Sequence, residues 1–262
     1  MNESGLPAPR KRFGQHFLHD PGVIRRIVGS LLPSTTALVE IGPGRGAITR
    51  PLLEQFGRLT AVEFDRDLAQ FLRDTLAGQG LTVVEADALK LDWAELLGVG
   101  PVSIVGNLPY NVATEIIFRL LDHGSAIEEM VFMVQREVAQ RLVANPGSGS
   151  YGRLSVMVQY HCEASLLFHI GPGAFNPPPK VDSAMVRLRP CTPRHAAHKL
   201  MTLRRLVLLA FQSRRKTLRN ALKEWCPAEL MQELGIDPNA RAETIDVAAY
   251  VRLANALDAP RN

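Results

Sequence analysis

Five short apolar runs, at residues 37–41, 59–63, 81–85, 102–106 and 130–135, alternate with stretches of helical periodicity such as 66–76 and 114–121. The runs are continuously apolar rather than alternating in polarity. A strand of that kind is buried on both faces, as in a parallel sheet covered by helices. Parallel neighbours need a long crossover, and an intervening helix supplies one. The β-α repetition therefore predicts an α/β fold: a doubly wound, Rossmann-like sheet with helices on both sides.

The pattern changes after residue 135. The Asn145-Pro146-Gly147-Ser148-Gly149-Ser150 stretch reads as a loop, and residues 153–161 read as a helix. Residues 165–170 and 184–188 read as two more strands, joined through a connection short enough for an antiparallel pair at one sheet edge. Beyond Pro193 the sequence predicts helices only, at 198–211, 214–225 and 248–257. The expected domains are a ligand-binding domain over 1–193, with 1–12 a flexible lead-in, and a small helical domain over 194–262.

In a doubly wound sheet, ligands bind beyond the carboxyl ends of the strands. Gly42-Pro43-Gly44-Arg45-Gly46 follows the first run, where glycines permit a tight turn and close approach to a ligand. Glu63 ends the second run and suits the two hydroxyls of a ribose. Alone, this loop also fits the relaxed dinucleotide fingerprint, glycine-x-glycine-x-x-alanine through Ala47, so a dehydrogenase stays open at this point. Asp87, after the third run, could accept from an adenine amine or could simply cap the turn that follows. Asn107 follows the fourth run, so Gly42, Gly44, Glu63, Asp87 and Asn107 would converge on one nucleoside.

The Asn107-Leu108-Pro109-Tyr110 turn adds chemistry to that crevice. An exocyclic adenine amine is a poor nucleophile because its lone pair is delocalised into the ring. The Asn107 side-chain oxygen and the Leu108 carbonyl could accept the two amine protons and favour a pyramidal, more electron-rich nitrogen. Pro109 would fix the turn, and Tyr110 would offer a flat face for the base. Were the bound nucleoside to carry a methyl sulfonium, alignment and polarisation would suffice without a strong base. Phe175, in the Pro-rich stretch 171–180, could supply the opposite face of the base or pack in the core.

Composition narrows the class. Three scattered cysteines and no C-x-x-C pair argue against a zinc site or a disulfide framework, so no metal is expected, and a reducing cytoplasm fits best. No apolar run reaches a membrane-span length, so no membrane role is expected. The net charge of +4 hides an asymmetry: the segment 187–223 carries eleven Lys and Arg and no acid. Such a block suits a phosphate backbone. Arg214, Arg215, Lys216, Arg219 and Lys223 are its candidate RNA contacts, with Arg215, Arg219 and Lys223 spaced to line one helix face.

Together these segments resemble the bacterial small-subunit (16S) ribosomal RNA adenine dimethyltransferases, the kasugamycin-sensitivity family. The resemblance rests on five segments in order: Arg12-Phe13-Gly14-Gln15-His16-Phe17-Leu18; Val39-Glu40-Ile41-Gly42-Pro43-Gly44; Asn107-Leu108-Pro109-Tyr110-Asn111; the run from Phe175 to Ser183; and the run from Phe211 to Asn220. It implies S-adenosyl-L-methionine as cofactor, with contacts at His16, Leu18, Gly42, Glu63, Asp87 and Asn107. It implies transfer of two methyls to each of two adjacent adenines near the 3′ end of the small-subunit RNA during maturation of the 30S particle. A cytoplasmic monomer is expected. His16 stands where the family often has Asn. Two alternatives accompany this reading: a large-subunit rRNA adenine methyltransferase, and an RNA-binding assembly or transcription factor on the same fold. The basic run through 214–220 favours the small-subunit branch, and the intact Asn107–Tyr110 turn favours catalysis.

Overall fold

The computed structural model describes residues 7, 9–10, 15–33, 37–98, 100–213 and 215–259. Arg12, Phe13 and Gly14 of the first signature, and Arg214 of the basic block, lie outside the described residues.

Contacts divide the chain into two compact units, residues 1–139 with 164–190, and residues 140–163 with 191–262. In chain order the elements are β1 (Phe17–Leu18), α1 (Pro21–Val28), β2 (Leu38–Ile41), α2 (Thr49–Phe56), β3 (Leu59–Glu63), α3 (Arg66–Thr75), β4 (Leu81–Glu85), α4 (Trp93–Leu97), β5 (Val102–Asn107), α5 (Ala113–Leu121) and β6 (Ile127–Gln135). They continue with α6 (Arg136–Leu142), α7 (Arg153–His161), β7 (Cys162–Ile170), β8 (Phe175–Asn176), β9 (Ser183–Pro190), α8 (Leu200–Phe211), α9 (Leu218–Ala221), α10 (Ala228–Glu233) and α11 (Val247–Asp258).

Seven strands form one sheet in the order β4-β3-β2-β5-β6-β9-β7. The first five strands run parallel, and β9 turns the edge antiparallel against β6, from Met130 opposite Leu188 to Gln135 opposite Ser183. The order reverses direction between β2 and β5, the switch point where such sheets bind ligands. Local chemistry places the helices. Asp20, Asp65, Asp92 and Asp246 cap α1, α3, α4 and α11 by accepting from backbone N–H groups of the first turn. The apolar sides of α1, α2 and α3 cover the sheet through Ile27, Leu52 and Leu72, all fully buried.

Two sequence expectations change at this level. The segment 140–163, placed by sequence in the first domain, clusters with the C-terminal helices because α7 packs against α8 and α11. The helix expected over 214–225 shrinks to the four residues of α9. There the backbone is claimed from outside: Thr217 bridges Arg241, Leu218 N donates to Ala240 O, and Arg219 N donates to Pro238 O. No helix among the described residues is long and apolar enough to cross a membrane.

Candidate active site

The carboxyl ends of β2, β3, β4 and β5 open into one cavity of about 240 Å³. Gly42, Gly44, Glu63, Asp87, Asn107, Leu108, Pro109 and Tyr110 all line it, as does His16. Residues from five separate stretches of chain thus meet at one place.

The glycine loop is shaped by sterics. Gly42 adopts φ 68°, and a Cβ there would come within 3.2 Å of the Asn107 carbonyl. Gly42 therefore keeps the loop and the reaction turn in close approach, at a backbone angle that L side chains rarely adopt. Gly106 answers it on the neighbouring strand, where a Cβ would lie 2.4 Å from the Ile41 carbonyl.

Glu63 ends β3 almost fully buried. Its carboxylate accepts from Gly44 N at 3.1 Å and from Asp65 N at 2.8 Å. Burial raises its pKa, opposed by those N–H donors and assisted by the Asp65 charge. Glu40, beneath the loop on β2, is pushed up to about 8, first by burial, with the Thr49 hydroxyl opposing and the Glu63 charge adding. Asp87 accepts from Leu89 N at 2.9 Å, so it caps its own turn while lining the cavity. The capping and ligand-binding readings coexist, since a carboxylate has lone pairs for both.

The reaction turn is fastened on each side. Leu108 N donates to Met133 O at 3.1 Å, and Pro109 O accepts from Val112 N and Ala113 N at the start of α5. Asn107 Nδ2 donates to His16 O at 3.3 Å. That contact uses one of the two Nδ2 hydrogens and sets the orientation of the amide, leaving Oδ1 as an acceptor for a ligand. The Tyr110 hydroxyl lies 2.6 Å from Ser183 Oγ, and burial raises the phenol's pKa. The His16 ring stacks on Tyr110 at 6.0 Å between centroids, and its Nδ1 lies 2.8 Å from Pro177 O.

Two predicted residues sit elsewhere. Phe175 is 2% exposed, packs in the core cluster with Leu18, Val105 and Met185, and is not part of the cavity wall. Its strand β8 pairs with β1, Leu18 opposite Phe175, which turns both side chains into the core. The stacking role read for Phe175 is therefore replaced by core packing. Leu18 is likewise buried in that cluster and is not part of the cavity wall. The basic candidates Arg215, Lys216, Arg219 and Lys223 are at the surface, but only Arg219 stands on α9, so the single helical face expected for three of them does not form. Arg187 of the same block belongs to β9 and pairs with buried Glu129.

Sequence reasoning missed Phe64, Asp65 and Gln15. Phe64 is 57% exposed and lines the cavity beside Glu63, an apolar face at a ribose-binding carboxylate. Asp65 is buried, accepts from Arg10 Nη1 at 3.0 Å and Gln15 Nε2 at 3.1 Å, and ties the N-terminal segment to the rim. Gln15 lies inside the first family signature. Phe64 and Asp65 directly follow Glu63 and could have been read from that adjacency.

The donor set fits S-adenosyl-L-methionine. When ionised, the carboxylates of Glu63 and Asp87 offer only acceptors, which suits ribose hydroxyls and an adenine amine. Phe64, Ala88, Leu108 and Ile116 supply apolar surface in the same cavity, and at Gly42 and Gly44 a Cβ would crowd Asn107 and Phe17 at its wall.

Comparison with known proteins agrees. Residues 8–259 match the model of the ribosomal RNA adenine dimethylase family. Ribosomal RNA small subunit methyltransferase A of Alcanivorax borkumensis is 52% identical over 94% of this chain and 89% of its own length. Its counterpart in Pseudomonas aeruginosa is 51% identical over 98% of this chain and 97% of its own. The chain belongs to the ribosomal RNA adenine dimethylase family. It is an S-adenosylmethionine-dependent rRNA adenine dimethyltransferase. Among solved structures, a dimethyladenosine transferase from Plasmodium falciparum matches with a TM-score of 0.75 and 26% identity, over 91% of this chain and 96% of its own. The 23S rRNA methyltransferase ErmE matches with a TM-score of 0.70 and 29% identity, over 93% of this chain and its whole length. The large-subunit alternative shares the fold, but the small-subunit relatives are much closer in sequence, and they decide the branch.

Proposed function

We propose that the protein dimethylates two adjacent adenines near the 3′ end of small-subunit ribosomal RNA, within an immature 30S particle, and that the Asn107–Tyr110 turn is the reaction centre. The observation that carries this is the orientation of Asn107. With Nδ2 held by His16 O, Oδ1 is the acceptor that an exocyclic adenine amine requires.

When bound, S-adenosyl-L-methionine supplies an electrophilic methyl on a sulfonium. Glu63 and Asp87 hold its nucleoside through their carboxylate lone pairs, against the apolar surface of Phe64. The Gly42–Gly44 loop lets that nucleoside approach the backbone. Asn107 Oδ1 and the Leu108 carbonyl accept the amine protons of the target adenine and align its lone pair. Tyr110 carries the base on its ring. These groups polarise and align rather than abstract, so the displaced proton leaves to solvent. The second unit, residues 140–163 with 191–262, docks the RNA through Arg215, Lys216, Arg219 and Lys223, with Arg214 in the same block. The working form is a cytoplasmic monomer.

Labelled cofactor, undermethylated 30S particles and mapping of the modified bases test this. Label on adjacent adenines near the 3′ end of the small-subunit RNA is the expected result. Label in large-subunit RNA, or tight RNA binding without label, would overturn it.

A further inference from the structure

The run from Phe175 to Ser183 does not supply an aromatic face to the cavity, because Phe175 is buried away from it, yet the run reaches the reaction turn by two routes, one direct and one through His16. Ser183, fully buried at the start of β9 and paired with Gln135, sets its Oγ 2.6 Å from the Tyr110 hydroxyl. Pro177 O lies 2.8 Å from His16 Nδ1, and the His16 ring stacks on Tyr110 with only 24° between planes. A carbonyl can only accept, so Nδ1 is the protonated nitrogen and the ring is fixed in orientation. Tyr110 is thereby held at its tip by one residue of this run, and flanked by an offset ring that another residue of the run pins.

We propose that Ser183 is a positioning residue for methyl transfer, acting through its hydrogen bond to the Tyr110 hydroxyl. The proposal rests on the reading that the target adenine stacks on Tyr110. A tyrosine ring turns about two side-chain bonds. Its hydroxyl bond to a residue locked in the sheet removes most of that freedom, and the His16 ring lies alongside in an offset stack, 6.0 Å between centroids. The ring face is then presented at a fixed distance from Asn107, and the amine reaches the acceptors in one pose. Ser183 has no direct role in the chemistry. Its hydroxyl is also satisfied by this contact, so both partners gain from the bond.

A double-mutant cycle separates this role from a merely structural one. Methyl transfer to undermethylated 30S particles is measured for the wild type, Ser183→Ala, Tyr110→Phe and the double variant, with melting curves and cofactor affinity for each. Each single change should lower kcat about 3- to 10-fold, with cofactor affinity unchanged. The double variant should fall no further than the worse single one, because both remove the same bond. A wild-type kcat in Ser183→Ala, or losses that multiply in the double variant, would overturn the proposal. Should Ser183→Ala not fold, Tyr110→Phe breaks the same bond from the other end, and a wild-type kcat there overturns it equally. Failure of the wild-type chain itself to transfer methyls strikes the underlying reading, which keeps the two outcomes distinct.

Discussion

Replacing Glu40 by Gln should flatten the dependence of stability on pH. Glu40 is 1% exposed on β2, with the Thr49 hydroxyl donating to its carboxylate at 2.7 Å and the Glu63 charge nearby. Burial, the largest cause, pushes its pKa from 4.5 to about 8 in the folded chain. A carboxyl raised in this way favours folding while protonated. Its contribution is fully present below the unfolded value and is lost as pH rises toward the folded one. Between those limits the folded state holds a proton the unfolded state lacks, so stability falls by about 1.4 kcal/mol per pH unit. From pH 5 to pH 8 that accumulates to on the order of 4 kcal/mol. At about 2–4 °C per kcal/mol, the effect is readily seen in melting temperature. Glutamine copies the neutral acid and keeps an acceptor for Thr49, but does not titrate. Glu63 is also raised, so some slope persists in both proteins, and the difference between them isolates Glu40. Melting curves of wild type and Glu40→Gln at pH 5, 6, 7 and 8 are the assay. The variant should match the wild type near pH 5 and exceed it increasingly toward pH 8. Parallel curves across that range would refute the reasoning.

Phe175→Ala should lower stability by about 3–5 kcal/mol while leaving the cofactor affinity of the folded fraction intact, read by chemical denaturation and calorimetry. A drop in activity with no loss of stability would restore the stacking role. Gly42→Ala should weaken cofactor binding at least tenfold, because the added Cβ meets the Asn107 carbonyl at 3.2 Å and the backbone angle is unfavourable, as titration calorimetry can check. Changing Arg215, Arg219 and Lys223 together to Ala should reduce RNA affinity and make the salt slope shallower by up to about 2–3 units, one for each phosphate no longer neutralised. An unchanged slope would show that these side chains are only solvated.

The strands and the ligand loop were legible because their signals are local. Buried parallel strands show as continuous apolar runs, and every expected run became a strand within a few residues. Gly42, Glu63, Asp87 and Asn107 could be placed together because a doubly wound sheet brings its strand ends to one crevice. The misreadings came where a residue's surroundings are supplied by distant chain. Phe175 sits in a Pro-rich stretch compatible with either role, and only its pairing with Leu18, far away in sequence, turned it into the core. Arg215, Arg219 and Lys223 carry helical spacing, but bonds from Thr217, Leu218 and Arg219 to residues 238–241 interrupt the helix.

By itself, then, the sequence determined the sheet, the place of the crevice and the chemical types that line it, since periodicity and turn residues act over a few positions. Tertiary structure alone decided the orientation of the Asn107 amide, the tether from Ser183 to Tyr110 and the stack of His16 on that ring. Each joins groups at least seventy residues apart in the chain, and each forms only after strands and loops have packed. Hydrogen-bond geometry between such groups is set by where the backbone brings them, and no local pattern encodes that.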